Sequence, residues 1–357
     1  MNPWRNKEVG MGNLAKLRAL RLEVPDDIDE VNRIYYEHGW TDGLPIVPPT
    51  EERVARMLEG TRREADEVMG AFPPSGNDAT VGDIAINAVM AGCSPEYMPI
   101  LIAAVQAMLE PEFGLHNIQA TTHPVAPLII VNGPIRGRLG LNSGSNLFGP
   151  ANRANATIGR ATRLILLNVG EARPGVTDLS THGQPSKYSF CIAENEEESP
   201  WEPLHVEKGF EGAVSTVTVN GVENPHNIND HTAEDAENLL TTIAGSIATQ
   251  GNNNILYQAG EPLLILGPEH ARILAGSGFS KAQVKQYLYQ KARVPKTAFS
   301  IGHQRVQFSM YSDTDFIPLV QRPEDFMIVV AGGAGKHTVF CPTYAIRSHA
   351  ITKEVQE

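Results

Sequence analysis

The sequence predicts an α/β protein, a layered arrangement of sheets and helices that carries an internal duplication, and three observations predict it. A buried apolar run ending in Gly-Pro occurs twice: Ile129-Ile130-Val131-Asn132-Gly133-Pro134 aligns with Leu263-Leu264-Ile265-Leu266-Gly267-Pro268 at an offset of 134 residues. At that offset Arg138 falls on Arg272, Ser143 on Ser277 and Gly144 on Gly278, and upstream, across a three-residue gap, Asn117-Ile118 matches Asn254-Ile255. A helical stretch follows each Ser-Gly, Asn155 to Asn168 and Ser280 to Ala292. An apolar strand that runs through glycine into a helix is the unit of a layered α/β domain. The alternative is chance similarity between two Gly-Pro turns.

Taken in order, residues 1–25 mix charge and leucine without a partner face and read as an arm for packing on another subunit. Residues 26–80 are a helical and Pro-rich lead-in. Ile28, Val31, Ile34 and Tyr35 have helical spacing that stops near Gly39; a turn, Thr41 to Pro49, follows, and Thr50 is placed to cap a helix through Leu58. Residues 81–225 form the first α/β repeat with an insertion. It opens with two apolar helices between Val81 and Leu109, broken at Gly92-Cys93-Ser94-Pro95, where Ser94 caps and Pro95 starts the second helix. Residues 226–357 form the second repeat and a C-terminal glycine-rich strand, Phe326 to Gly333, a partial third echo of the motif. Duplicated strands place their ends at a shared cleft, where ligands of open α/β sheets bind.

Composition excludes several classes. The 357 residues are 41% hydrophobic and 20% charged, a globular balance, with 32 Gly and 25 Pro signalling many turns. A net charge of −12 argues against nucleic acid or anionic lipid as partners, so an anion has to be held by a local site. Three cysteines, Cys93, Cys191 and Cys341, are too few and too scattered for a disulfide framework and suit a reducing compartment. The first residues lack the apolar core of a secretory signal, and the longest near-apolar run, Tyr97 to Leu109, is thirteen residues against the roughly 20 of a membrane helix. The expectation is a cytoplasmic protein without a membrane span.

Three segments bear on chemistry. Leu141 to Asn155 is rich in Asn, Ser and Gly: glycine lets a backbone approach a ligand, a following helix start favours an anion, and Arg138 or Arg153 supplies charge. The alternative is a loop whose polar groups satisfy only its own backbone. Ala331 to Tyr344 resembles a P-loop only superficially, because Val330 stands where the first glycine belongs and His337 where Ser or Thr should follow Lys336. Lys336 among glycines can still clamp an anion and His337 can move protons, unless the lysine is merely solvated. In the third, a strand from Tyr188 to Ala193 delivers Glu194 as a base with Lys187 as electrostatic partner, while most of Glu196-Glu197-Glu198 reads as a solvated face and Cys191 as an inert thiol. Nothing in the sequence demands a metal: His226 and His231 are five apart, His116 and His123 point to opposite faces of a strand-like segment, and no Cys-x-x-Cys occurs, which leaves a site assembled from distant histidines as the alternative.

The strings Gly39-Trp40-Thr41-Asp42-Gly43-Leu44-Pro45-Ile46-Val47-Pro48-Pro49-Thr50, Ala85-Ile86-Asn87-Ala88-Val89-Met90-Ala91-Gly92-Cys93 and Arg153-Ala154-Asn155-Ala156-Thr157-Ile158-Gly159-Arg160 resemble the large proteins associated with the UGSC family, named for a Sec/Cys-Gly-Ser-Cys motif. The similarity runs from about residue 27 to 345 and includes Phe190-Cys191-Ile192-Ala193-Glu194-Asn195-Glu196-Glu197. No Cys-Gly-Ser-Cys occurs here, so the resemblance implies redox thiol or selenol chemistry only if a separate subunit brings that motif. No catalytic residue carries over.

Together these readings favour an enzyme acting on a small anionic, carboxylate-type metabolite by proton-transfer chemistry of the lyase or hydrolase type. Glu194 is the expected base, His337 acid or base and Lys336 the electrostatic stabiliser; Ser143, Gly144, Ser277 and Gly278 offer backbone donors, and Asn146 and Arg153 side-chain contacts. No cofactor is indicated. The alternative is a non-catalytic or half-site subunit, a homo-oligomer or the companion of a thiol- or selenol-bearing partner protein.

Overall fold

Helices form where a cap and an apolar stripe coincide in the sequence. In the computed structural model, which describes residues 15–306, 308 and 315–356, α1 (Ile28–Glu37) starts at Asp27, whose carboxylate accepts from the Asp29 and Glu30 amides, and α2 (Glu51–Leu58) is capped by Thr50. A hairpin, β1 (Val68–Phe72) and β2 (Asn77–Thr80), leads into α3 (Val81–Ala91), which opens with a reciprocal Thr80–Asp83 capping box. Both α3 and α4 (Met98–Leu109) are buried on nearly every side, which explains their continuous apolar sequence. Between them Pro95–Tyr97 forms a single 3₁₀ turn, and Ser94 makes no side-chain cap bond, contrary to expectation.

The chain then runs through α5 (Leu115–Gln119), β3 (Ala126–Asn132), α6 (Ile135–Arg138), α7 (Arg153–Asn168), β4 (Cys191–Ala193), α8 (Leu204–Glu207), β5 (Thr216–Val222) and β6 (His226–Asn229). The remainder is α9 (Ala236–Ile247), α10 (Asn253–Tyr257), β7 (Leu263–Leu266), α11 (Pro268–Gly276), α12 (Lys281–Lys291), β8 (Arg293–Pro295), α13 (Ile301–Val306), β9 (Phe316–Pro318), β10 (Met327–Val330), β11 (His337–Cys341) and β12 (Ile351–Glu354). Mixed sheets with helices make this an α/β protein.

Two four-stranded sheets share one plan. In the first, spatial order β12-β5-β3-β4, β4 lies parallel to β3 and β5 antiparallel to it, with β12 antiparallel on the outside. In the second, order β10-β7-β11-β6, β10 lies parallel to β7, β11 antiparallel, and β6 antiparallel on the outside. The outer strands are exchanged: β6 follows β5 in the chain but joins the second sheet, and β12 follows β11 but returns to the first. The expected boundary at residue 225 therefore falls between β5 and β6, but the C-terminal strand belongs to the first sheet.

Alternation along each strand divides the core into layers. Leu128 and Ile130 of β3 face Leu263, Ile265, Met327, Val329 and Cys341, forming the core between the sheets. The intervening residues Ile129 and Val131 pack with α2, α3, α4 and α7, and Leu264, Leu266, Ile328 and Val330 pack with α9, α11 and α12. The order is helices, sheet, sheet, helices.

Three differences from the expected layout concern the site. The described part of the expected arm packs on its own chain: Leu17 lies over Gly82, and Lys16 and Arg21 pair with Glu64 and Glu51; residues 1–14 are outside the described residues. The Gly-Pro turns are followed by helices of unequal length, four residues in α6 and nine in α11. Ser277 and Gly278 consequently end a helix: Ser277 Oγ donates to the Ile273 carbonyl, and Gly278, at φ +85°, takes the left-handed turn just past the helix.

Candidate functional site

The segments singled out in the sequence meet one another. The Gly332 amide donates to the Ser143 carbonyl at 2.8 Å, and the Asn195 amide to the Val330 carbonyl at 2.8 Å, so the 141–155 loop, the end of β4 and the glycine run after β10 converge. Gly333 lies so close to Ser145 that a Cβ there would fall 1.9 Å from the serine oxygen, and only glycine allows this approach. The polar groups of the loop are spent on itself. Asn142 accepts from the Gly144 amide and donates to the Ser145 carbonyl, Asn146 donates to the Pro150 carbonyl, and Asn152 caps α7. Ser143 and Gly144 thus serve loop contacts.

Lys336 is held by backbone: its ammonium donates to the His231 and Ala233 carbonyls at 3.2 and 3.1 Å. The His337 Nδ1 lies 3.0 Å from Asn227 Oδ1 and its Nε2 3.4 Å from His231 Nε2, at the exposed start of β11. Among the described residues no three His, Cys, Asp or Glu are placed to hold a metal.

Glu194 was expected to emerge at a sheet edge beside Lys187. The strand is shorter than expected, Tyr188 lying in a turn after Pro185–Lys187, and Glu194 is fully buried. One oxygen accepts from Asn132 Nδ2 at 2.6 Å and the Leu204 amide at 2.8 Å; the other has no partner. Burial, ahead of every opposing interaction, holds this carboxyl above its ordinary 4.5, and repulsion from Glu196 is the least of the contributions. Glu196 is itself not solvated: it accepts from the Gly133 amide and Asn132 and pairs with Arg136. Asn132 Oδ1, His205 Nδ1 and Thr216 Oγ1 are also buried without partners, so four orphaned polar atoms gather at the end of β3 and β4.

A different set of groups lines open space. A cavity of about 600 Å³ is walled by Asp42, Arg163, Asp178, His182, Lys187 and Tyr188 among others; of the residues the sequence brought to a site, Lys187 lines it, and Glu194, Lys336 and His337 do not. Arg163 comes from α7, one helical turn beyond Arg160, while Asp178 and Lys187 come from the irregular segment between α7 and β4. The Lys187 ammonium reaches both Asp178 oxygens, at 2.8 and 2.7 Å, and the Arg163 guanidinium stands 3.7 Å from the same carboxylate. Lys187 therefore serves Asp178, where the sequence had suggested Glu194. Burial, and then the charge of Arg163, hold the lysine below its ordinary 10.5 against the pull of Asp178, and burial lowers Arg163 too. Asp42 is gripped by Arg160 through two bonds of 2.9 Å. The wall itself balances Arg163 and Lys187 against Asp42 and Asp178, and Arg160, behind Asp42, adds a third cation in a chain of net charge −12.

Asp178 and Arg163 went unnoticed in the sequence. The only signal was the spacing Arg160, Arg163, which puts two guanidinium groups on one face of a helix. The cysteines offer no nucleophile: all three are buried, and burial pushes the Cys93 thiol up to about 12 while it donates to the Thr157 carbonyl. No single described helix is long and apolar enough to cross a membrane.

Comparison with protein-family models, with curated proteins and with solved structures found no match to this chain.

Proposed function

We propose that this chain is an enzyme that binds a small anionic, carboxylate-type metabolite in the Lys187 cavity and carries out proton-transfer chemistry of the lyase or hydrolase type. One observation carries the reading: a half-buried lysine with a depressed pKa, oriented by a carboxylate, stands in the wall of a cavity large enough for a metabolite. Arg163 neutralises the substrate carboxylate. Lys187, its proton more acidic than that of a solvated lysine, exchanges a proton with the substrate, and Asp178 holds the amine in place and stabilises its charged form. Glu194, His337 and Lys336 lie off this cavity and are given no catalytic part. The test is calorimetry with small mono- and dicarboxylates: binding that Lys187→Met and Arg163→Gln both weaken supports the reading, and binding indifferent to both opposes it.

The two sheets are read as products of a duplication. The offset of 134 residues pairs Asn132 with Leu266, and the strand register agrees, since Asn132 faces Thr216 and Leu266 faces Thr338 across equivalent antiparallel strands. The likeness to the UGSC-associated proteins is retained on the same footing. Its three strings come together in space: Arg160 holds Asp42, the Val47 amide donates to the Met90 carbonyl, and Arg153 donates to the Gly92 carbonyl.

The second reading, a half-site subunit working with a thiol- or selenol-bearing partner, is favoured by apolar side chains on the segment that rims the cavity. Val176, Leu179 and Tyr188 are 71%, 52% and 53% exposed. Turnover by the isolated chain would exclude it.

A further inference from the structure

We propose that the cavity walled by Arg53, Arg56 and Arg153 is a binding site for a phosphate-class oxyanion, free or as a phosphomonoester, distinct from the Lys187 cavity. The space measures about 250 Å³, and its lining holds three guanidinium groups and no carboxylate. Arg53 and Arg56 lie one turn apart on one face of α2. Arg153 is the first residue of α7, ten residues and so about 15 Å along that helix from Arg163 of the other cavity.

The rest of the chain shows what arginines ordinarily do in this protein. Arg33, Arg63, Arg136, Arg160, Arg272 and Arg322 each hold a carboxylate. In a chain with 41 acidic residues, the three around this cavity hold none among the described residues. Two are instead fixed by backbone: Arg53 donates to the Pro48 carbonyl at 3.0 Å, and Arg153 donates twice to the Gly92 carbonyl, at 3.2 and 2.9 Å. Arg56 is exposed and makes no hydrogen bond or ion pair within the described residues. Three cations around one space, with no carboxylate partner among the described residues, repel one another, and an anion seated between them relieves that repulsion. The N–H groups that the three guanidinium groups keep beyond the bonds to Pro48 and Gly92 still exceed what a single carboxylate with two oxygens engages, whereas a phosphate presents three or four oxygens to them. Val47, Met57 and Val89 supply apolar wall, which suits the carbon part of an ester.

The experiment is calorimetric titration of the full chain with inorganic phosphate, with glycerol phosphate and with acetate, repeated on Arg56→Gln, Arg153→Gln and Lys187→Met. Arg56 makes no hydrogen bond or ion pair among the described residues, so its variant should melt with the wild type in phosphate-free buffer. The proposal expects saturable phosphate binding, little acetate binding, a loss of roughly tenfold or more in affinity for Arg56→Gln and Arg153→Gln, and no change for Lys187→Met. Tighter binding of glycerol phosphate would identify an ester as the ligand, and equal or weaker binding the free anion. No saturable binding of either phosphate, equal affinity for acetate, or phosphate binding lost in Lys187→Met and kept in Arg56→Gln would overturn it. The last outcome places the anion in the Lys187 cavity, so failure here and failure of the proposed function are told apart.

Discussion

Both oxygens of Asp178 lie within 2.8 Å of the Lys187 ammonium, in the wall of a cavity, with side chains only 5% and 17% exposed. Removing the carboxylate leaves Lys187 and Arg163 facing each other with only Asp42, already gripped by Arg160, as counter-charge. Asp178→Asn should therefore lower stability by about 2–3 kcal/mol, read as a shift in urea midpoint at constant slope. A change under about 0.5 kcal/mol would show the pair to be as weak as an ordinary surface bridge.

Glu194 should impose a pH dependence on stability. Its folded carboxyl is raised above the ordinary 4.5, so between that value and its folded pKa the native state binds more protons than the unfolded chain. Its contribution is fully present below 4.5 and is lost as pH rises through the folded pKa. Comparing wild type with Glu194→Gln from pH 4.5 upward should show the difference in unfolding free energy drifting in favour of the variant. Parallel curves would mean that the carboxyl is ionised when buried. Turnover should survive this substitution, since Glu194 does not line the Lys187 cavity.

Lys336→Ala should leave ligand binding at the Lys187 cavity unchanged and cost about 1 kcal/mol of stability, because the ammonium bridges the backbone carbonyls of His231 and Ala233. A loss of affinity without a loss of stability would restore Lys336 to the site.

Arg160→Ala should release the turn from Thr41 to Pro49. The guanidinium holds Asp42 and also the Leu44 and Pro45 carbonyls, and those contacts fasten the turn to α7. Hydrogen exchange of the Leu44 and Ile46 amides should accelerate in the variant while the α4 amides keep their protection. Unchanged exchange would show that the turn is held by packing alone.

Local signals were legible in the sequence and long-range ones were not. Thr50 caps its helix as the sequence suggested, because capping needs only residues three positions away, and the apolar runs of α3 and α4 need no knowledge of their partners. The exchange of β6 and β12 between sheets could not be read, since pairing of β12 with β5 joins residues more than a hundred positions apart. The Ser277-Gly278 match to Ser143-Gly144 drew attention to a ligand loop, yet glycine after an apolar helical stretch is equally a stop signal, and the longer α11 carries the chain to that stop. Asp178 escaped notice because it meets Lys187 through an irregular segment with no periodicity to follow. Glu194 was found as an unusual carboxyl, but its burial comes from Leu204 and Asn132, which only the fold brings to it.

The central claim, proton transfer to a carboxylate-type substrate by Lys187, is tested most directly by proton NMR of a panel of small carboxylates in deuterated buffer with the intact chain. The spectra read both loss of C–H signals by exchange and conversion of the compound by a lyase or hydrolase. If Lys187 moves the proton, exchange or conversion of at least one substrate falls by roughly 10²- to 10⁴-fold in Lys187→Met, with Glu194→Gln close to wild type. A reaction that proceeds at the same rate in Lys187→Met, or that vanishes in Glu194→Gln while Lys187→Met retains it, would contradict the assignment.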